Sequence, residues 1–227
     1  MRRLVTVLVV AAVVVLGGWL ADNAVRGRAE ERAAAAIQAR LGLDQSPQVT
    51  IGGFPFSLAL VTKTVPSARI SAASVPLAVS GTRVHVTGVL VDSEAISLDG
   101  DRVRLARVSG SGVLSYGDLA ELSGVPTSYA EDGRLRLNYT AQIAGRQLGV
   151  WVSATPVIAA DGSAIELTRL RLDPDSASVP LTKAQLGRLV ASIPLRLPDG
   201  VRLTALTPSE GGVAVAGQAS DLAFTLS

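Results

Sequence analysis

Residues 134–143 read RLRLNYTAQI, and this decapeptide decides the fold class. Leu135, Leu137, Tyr139, Ala141 and Ile143 fall on one side of an extended chain, and Arg134, Arg136, Asn138, Thr140 and Gln142 on the other. A period of two is the repeat of a β-strand, and one apolar side against one polar side is the pattern of an antiparallel sheet that buries a single face. Runs of similar texture at 82–91, 102–108, 148–158, 164–172, 201–206 and 213–216 are separated by Asp-Gly or Gly-rich turns. Together they predict about eight to ten strands.

Two helices interrupt the strands. Each opens on a hydroxyl residue with a partner three places on, Ser115 with Asp118 before 116–122 and Thr182 with Gln185 before 183–193. That spacing lets the two side chains satisfy amides that the first helical turn leaves open. A shift of 67 residues aligns Arg102, Arg104, Leu105 and Ser109 with Arg169, Arg171, Leu172 and Ser176, and Asp132-Gly133 with Asp199-Gly200. In all, ten of 32 ungapped positions from 102 to 133 are identical to their counterparts, so an internal repeat over 81–147 and 148–217 is an expectation, weighed against coincidence among Leu, Arg and Ser.

Before Gln48 the texture is helical. Val25, Ala29, Ala33, Ala36, Ile37 and Leu41 recur at helical spacing while Arg26, Arg28, Glu30, Glu31 and Arg32 occupy the other faces, which predicts a helix over 22–43. Ahead of it, residues 4–21 (LVTVLVVAAVVVLGGWLA) hold eighteen residues without a charge, preceded by Arg2 and Arg3. Such a run is long enough to insert in a bilayer, and the preceding positive charges place the N-terminus in the cytoplasm and the remainder outside it. Trp19-Leu20-Ala21 is a poor cleavage site, so residues 1–21 are expected to stay as a signal-anchor, with 22–227 forming one extracytoplasmic domain.

Charge and chemistry are informative by what they exclude. The chain carries 21 basic and 19 acidic residues; setting aside Arg2 and Arg3 leaves 19 against 19, so the body has no general attraction for nucleic acid. There is no cysteine, which removes disulfides, a lipid-modified cysteine and thiolate metal sites. The single histidine, His85, shares strand parity with Arg83 and Thr87 and is expected to face solvent. Asp92 with Glu94, Asp99 with Asp101, and Asp173 with Asp175 stand at turns, where short acidic side chains are favoured by turn geometry. With no nucleophile and base at usable spacing and no phosphate-binding loop, the expectation is a protein without catalysis, cofactor or metal.

Two apolar or basic features remain. Ile51-Gly52-Gly53-Phe54-Pro55-Phe56-Ser57-Leu58 contains two of the three phenylalanines, and either lines a hydrophobic pocket or plugs one end of the sheet. Arg102 with Arg104 and Arg169 with Arg171 alternate with apolar residues, so each pair shares a face and either meets lipid phosphates or forms a solvated surface.

The order of these features resembles the LmeA-like phospholipid-binding proteins of actinobacterial cell envelopes. The resemblance rests on the anchor and the Ala/Glu helix, Val49-x-Ile51-x-Gly53-x-Pro55-Phe56, Leu114-Ser115-x-x-Asp118-Leu119, and Leu195-x-Leu197-Pro198-x-Gly200-x-x-Leu203. Ser57 departs from it, standing where a bulky aliphatic residue is expected. A source with a high-GC genome agrees with a chain whose only lysines are Lys63 and Lys183.

The resemblance implies an α+β fold in which a strongly curved antiparallel sheet wraps along the N-terminal helix, similar to tubular lipid-binding folds. It also implies a phospholipid partner, an inositol lipid among the candidates, at the outer face of the plasma membrane, in support of envelope lipid or glycolipid assembly. The apolar contacts would come from Ile51, Phe54, Pro55, Phe56 and Leu58, and the headgroup contacts from Arg102, Arg104, Arg169 and Arg171. The rival expectation is an envelope scaffold with a filled core that binds protein through a sheet edge or the apolar loop.

Overall fold

The computed structural model describes residues 2–53, 55–79, 82–99, 102–143, 146–176, 192–194 and 200–225, with the backbone alone for residues 2–21 and a few others. The chain begins with α1 (Arg2–Leu41), β1 (Gln48–Gly52), α2 (Phe56–Thr62), β2 (Thr64–Val79), β3 (Thr82–Asp99) and β4 (Arg102–Leu114). After α3 (Tyr116–Ser123) come β5 (Thr127–Ala130), β6 (Arg134–Ile143), β7 (Arg146–Ile158) and β8 (Ala164–Leu172). A 3-10 turn (Pro174–Ser176), β9 (Ser192–Pro194), β10 (Val201–Ser209) and β11 (Gly212–Thr225) complete the described elements.

The antiparallel character expected from 134–143 holds at every pairing whose register is described. One expectation is corrected: the strands form two sheets, not one. The first has the order β1-β2-β3-β4-β11-β10 and the second β5-β6-β7-β8-β9. The chain also divides into two compact units, the first made of 1–72, 91–108 and 220–227 and the second of 73–90 and 109–219.

In the second unit the apolar side of β6 carries the core. Leu135, Leu137, Ala154, Ile165 and Leu167 from β6, β7 and β8 pack with Leu119 of α3 and Val213 of β11. Cross-strand partners sit on one face of a sheet, and Leu135 is opposite Ala154, Leu137 opposite Val152 and Tyr139 opposite Val150. Val150 and Val152 extend the buried surface, with Leu170 and Leu172 beside them.

A bulge explains how β8 supplies both Leu167 and Leu170 to that face although they are three positions apart, an odd step. The register of β7 against β8 shifts between Ser153 and Thr155, and Arg169 takes a left-handed backbone with φ 50°. One extra residue on β8 reverses its alternation there.

α3 follows the predicted start. Ser115 Oγ accepts from the Asp118 amide at 3.1 Å, and Gly124 closes the helix in the left-handed conformation. Asp118 then reaches outside the helix, where Oδ1 accepts from the His85 amide of β3 at 3.1 Å. His85, Arg83 and Thr87 are exposed and Val84 is buried, as the parity of that strand required. The second capped helix expected at 183–193 falls on residues that lie mostly outside the described ones, as does the 195–198 motif. Within the second unit, the passage from β4 through α3 to β5 joins the six-stranded sheet to the five-stranded one, and the passage from β9 to β10 returns.

The first unit differs from expectation at both of its helices. α1 is one helix of 40 residues, about 60 Å long at 1.5 Å per residue, so the 22–43 helix and the backbone of the uncharged run are continuous. Among the described residues no helix is long and apolar enough to cross a membrane; the side chains of residues 2–21 lie outside that description. The expected apolar stripe is rotated as well. Val25 and Leu41 are exposed, whereas Asp22 and Ala34 are buried and Arg26 and Glu30 half-buried. The cause is β1 and the segment after it: β1 has no neighbour on its outer edge among the described strands, and the free backbone groups of β1 and of residues 53 and 56 draw polar side chains toward them. The other difference is α2, which occupies part of the segment read as a loop.

Candidate functional site

In the first unit, Asp22, Arg26 and Glu30 stand at successive i, i+4 positions and so form one row along α1. Each holds a backbone atom of the segment that runs from β1 into α2. Glu30 Oε1 accepts from the Ile51 amide at 2.7 Å, Arg26 Nη2 donates to Gly53 O at 2.6 Å, and Asp22 Oδ2 accepts from the Phe56 amide at 2.8 Å. Asp22 and Arg26 also lie 3.4 Å apart as an ion pair, and the Arg26 guanidinium is 6.0 Å from the centre of the Phe56 ring. Ile51, Gly53 and Phe56 therefore meet α1 at successively more N-terminal positions, and α2 starts beside Asp22, the first residue after the uncharged run.

Glycine makes the ascent feasible. Gly53 has φ 105°, and a Cβ there would come within 2.9 Å of the Pro66 ring. Pro55 is extended at φ −72° and ψ 142° and leads into α2 without a side-chain cap. Phe56 is 3% exposed and Ala59 is buried, so they form the inner face of α2. On its other side Leu58 is 55% exposed and Val61 80%, with the exposed Lys63 closing the helix in a left-handed conformation. A short helix thus turns apolar side chains outward where a solvated surface would carry polar ones.

These positions sort the apolar residues singled out in the sequence. Ile51 is half-buried on β1, Phe56 is inside, Pro55 and Leu58 are exposed, and Phe54 lies outside the described residues. Phe56 is bound into the packing of α1 on α2, while Leu58 is presented to the surroundings. Asp22, Arg26 and Glu30 were not singled out, because charged residues on a helix read as a solvated face. Their signal was the four-residue spacing of alternating charge directly after the uncharged run.

The arginines separate by unit. Arg102 and Arg104 are exposed on β4 in the first unit, where the exposed ion pairs Arg69–Asp92 and Arg107–Glu94 measure 2.6 and 2.7 Å. Arg169 and Arg171 are exposed on β8 in the second unit, on the polar side of the β6-β7-β8 sheet. The sequence did not assign Arg134 to them, yet its Nη2 donates to Arg169 O at 2.8 Å and to Ser153 O at 3.0 Å. Burial, followed by the charge of Arg171, pulls Arg134 below the usual arginine range, with Asp132 opposing and Arg169 adding to the effect. Arg136 on the same strand is engaged, with Nη2 2.9 Å from Asp173 Oδ1 and its guanidinium 4.5 Å above the Trp151 ring.

The turn reading of the acidic pairs is corrected for Asp92 and Glu94, which stand inside β3 and not at a turn, whereas Asp173 does follow the end of β8 and Asp101 lies outside the described residues. Asp92, Glu94 and Asp173 each meet an arginine. Among the described residues no group of three or more histidine, aspartate or glutamate side chains is placed to hold a metal ion.

The profile of the family described as LmeA-like phospholipid-binding matches residues 20–218, and the chain belongs to that family. The match starts next to Asp22 and takes in both units. Comparison with curated proteins and with solved structures gave no match.

Proposed function

We propose that this LmeA-like protein is a noncatalytic phospholipid binder or carrier, held at the outer face of the plasma membrane by residues 4–21 and serving envelope lipid or glycolipid assembly. The observation that carries the reading is family membership over 20–218, a family defined by phospholipid binding. Support for the location comes from the sequence: eighteen uncharged residues preceded by Arg2 and Arg3 suit an inserted helix with its N-terminus inside. The region after the anchor then works as one extracytoplasmic domain.

Binding would rest on burial of acyl chains against apolar side chains, among them Ile51, Phe54, Pro55 and Leu58, with Phe56 holding their segment on α1 from inside. At about 0.8 kcal/mol per buried methylene, two acyl chains supply ample free energy. Charged groups are then needed only for selectivity. Arg102 with Arg104 in the first unit and, separately, Arg169 with Arg171 in the second are the proposed headgroup contacts, and an inositol lipid is the proposed ligand class. Native mass spectrometry of the purified protein is the test. Co-purifying or added phospholipid should appear as a discrete mass increment, and protein that is consistently lipid-free and takes up no phospholipid sinks the proposal.

A further inference from the structure

We infer that α2 is a membrane-inserting element, with Leu58 and Val61 embedded among the lipids at the foot of the α1 anchor. The inference rests on the anchoring of residues 4–21 proposed above, and adds a second contact with the same bilayer.

The geometry leaves α2 little choice of height. The uncharged run ends at Ala21, and the next residue, Asp22, holds the Phe56 amide that begins α2. Arg26 and Glu30 fix the preceding residues to the same helix, and α1 is continuous through this region. When residues 4–21 span the hydrocarbon, Asp22 stands at its outer boundary, and α2 lies at the level of the headgroups. That is the depth at which a short apolar helical face is stable and a polar one is not required.

The side chains match that place. Phe56 and Ala59 secure the inner face, and Leu58 and Val61 are directed away from it. Lys63, one residue beyond the helix, has a long apolar stem and an ammonium group that can reach anionic headgroups from a shallow position. In water, exposure of Val61 at 80% and Leu58 at 55% is unfavourable; in the interface the same exposure is the contact.

The test uses the full chain in phosphatidylcholine–phosphatidylglycerol vesicles. Because the sequence has no cysteine, Val61→Cys provides a single labelling site, and Gln45→Cys provides a control beyond the other end of α1. An environment-sensitive fluorophore at 61 should be quenched by lipid-borne nitroxide and shielded from aqueous iodide, while the same probe at 45 should show the opposite. If the chain floats with vesicles and the probe at 61 is as open to iodide as that at 45, α2 does not insert, although lipid binding and anchoring stand. Shielding from both quenchers would mean that protein covers α2, and this also overturns the inference. A full chain that fails to float with vesicles removes the anchor and the inference together, while phospholipid uptake by mass spectrometry remains a separate measurement.

Discussion

Replacing Asp22 with alanine should detach the start of α2 from α1 without unfolding the second unit. The side chain is 6% exposed, and its carboxylate accepts a buried 2.8 Å bond from the Phe56 amide while standing 3.4 Å from Arg26. A hydrogen bond to a charged group contributes about 1.5–3 kcal/mol, and an amide left buried without a partner adds a penalty of about 1–3 kcal/mol. These overlap, so a local cost of about 3 kcal/mol is expected, a little over two factors of ten at about 1.4 kcal/mol each. Amide exchange at Phe56 should therefore accelerate on the order of 100-fold, while Leu137 and Val152 keep their protection. Asp22→Asn retains an acceptor oxygen but loses the charge, and should fall between the two, near tenfold. Measurement is by hydrogen exchange with residue-level resolution on the protein and both variants. Unchanged exchange at Phe56 in Asp22→Ala, or equal effects of alanine and asparagine, would refute the assigned role of the carboxylate.

Three further outcomes follow from other parts of the fold. Leu137 is fully buried among β6, β7 and β8, so Leu137→Ala should destabilise the protein by about 2–5 kcal/mol, read as a lower midpoint in denaturant. Gly53→Ala forces a side chain toward the Pro66 ring at φ 105° and should cost about 1–3 kcal/mol, seen as faster exchange in residues 51–56. Burial raises the phenols of Tyr139 and Tyr116 above the ordinary value near 10, the latter against a bond from its hydroxyl to Ser209 O. A raised acid is favoured protonated in the fold, so this stability is present below the unfolded value and is lost as pH climbs toward and through the folded one. Alkaline unfolding should coincide with phenolate absorbance and be reduced by Tyr139→Phe; an unchanged alkaline limb would count against it.

Alternation was a reliable guide where one face of a strand is buried and the other wet. The apolar side of β6, the exposure of His85 and the Ser115–Asp118 cap were all legible for that reason. The bulge at Arg169 was not, because Arg-Leu-Arg-Leu reads as unbroken alternation and only the pairing with β7 reveals the extra residue. The split into two sheets was hidden for a related cause: a strand's sequence states which side is buried, not which neighbours it pairs with.

The helix α2 escaped notice because seven residues are too few for a periodic signal and Gly-Gly-Phe-Pro reads as a turn. The row Asp22, Arg26 and Glu30 escaped notice because its partners are backbone atoms 34, 27 and 21 positions away, for which the sequence has no symbol. The site is thus half legible: its apolar residues stood out by composition, and the charges that position them did not.

The interleaving of the two units has a bearing on how the protein is made. The first unit takes its strands from 48–52, 64–72, 91–99, 102–108 and 220–225, so it lacks a part until residues 220–225 have been synthesised. A chain made N-terminus first has to wait with the edge of β4 that β11 will cover unpaired. During that interval exposed strand edges invite pairing with other chains. Removal of residues 220–225 should accordingly harm the unit that holds α1 and β1, although those elements lie far away in the sequence.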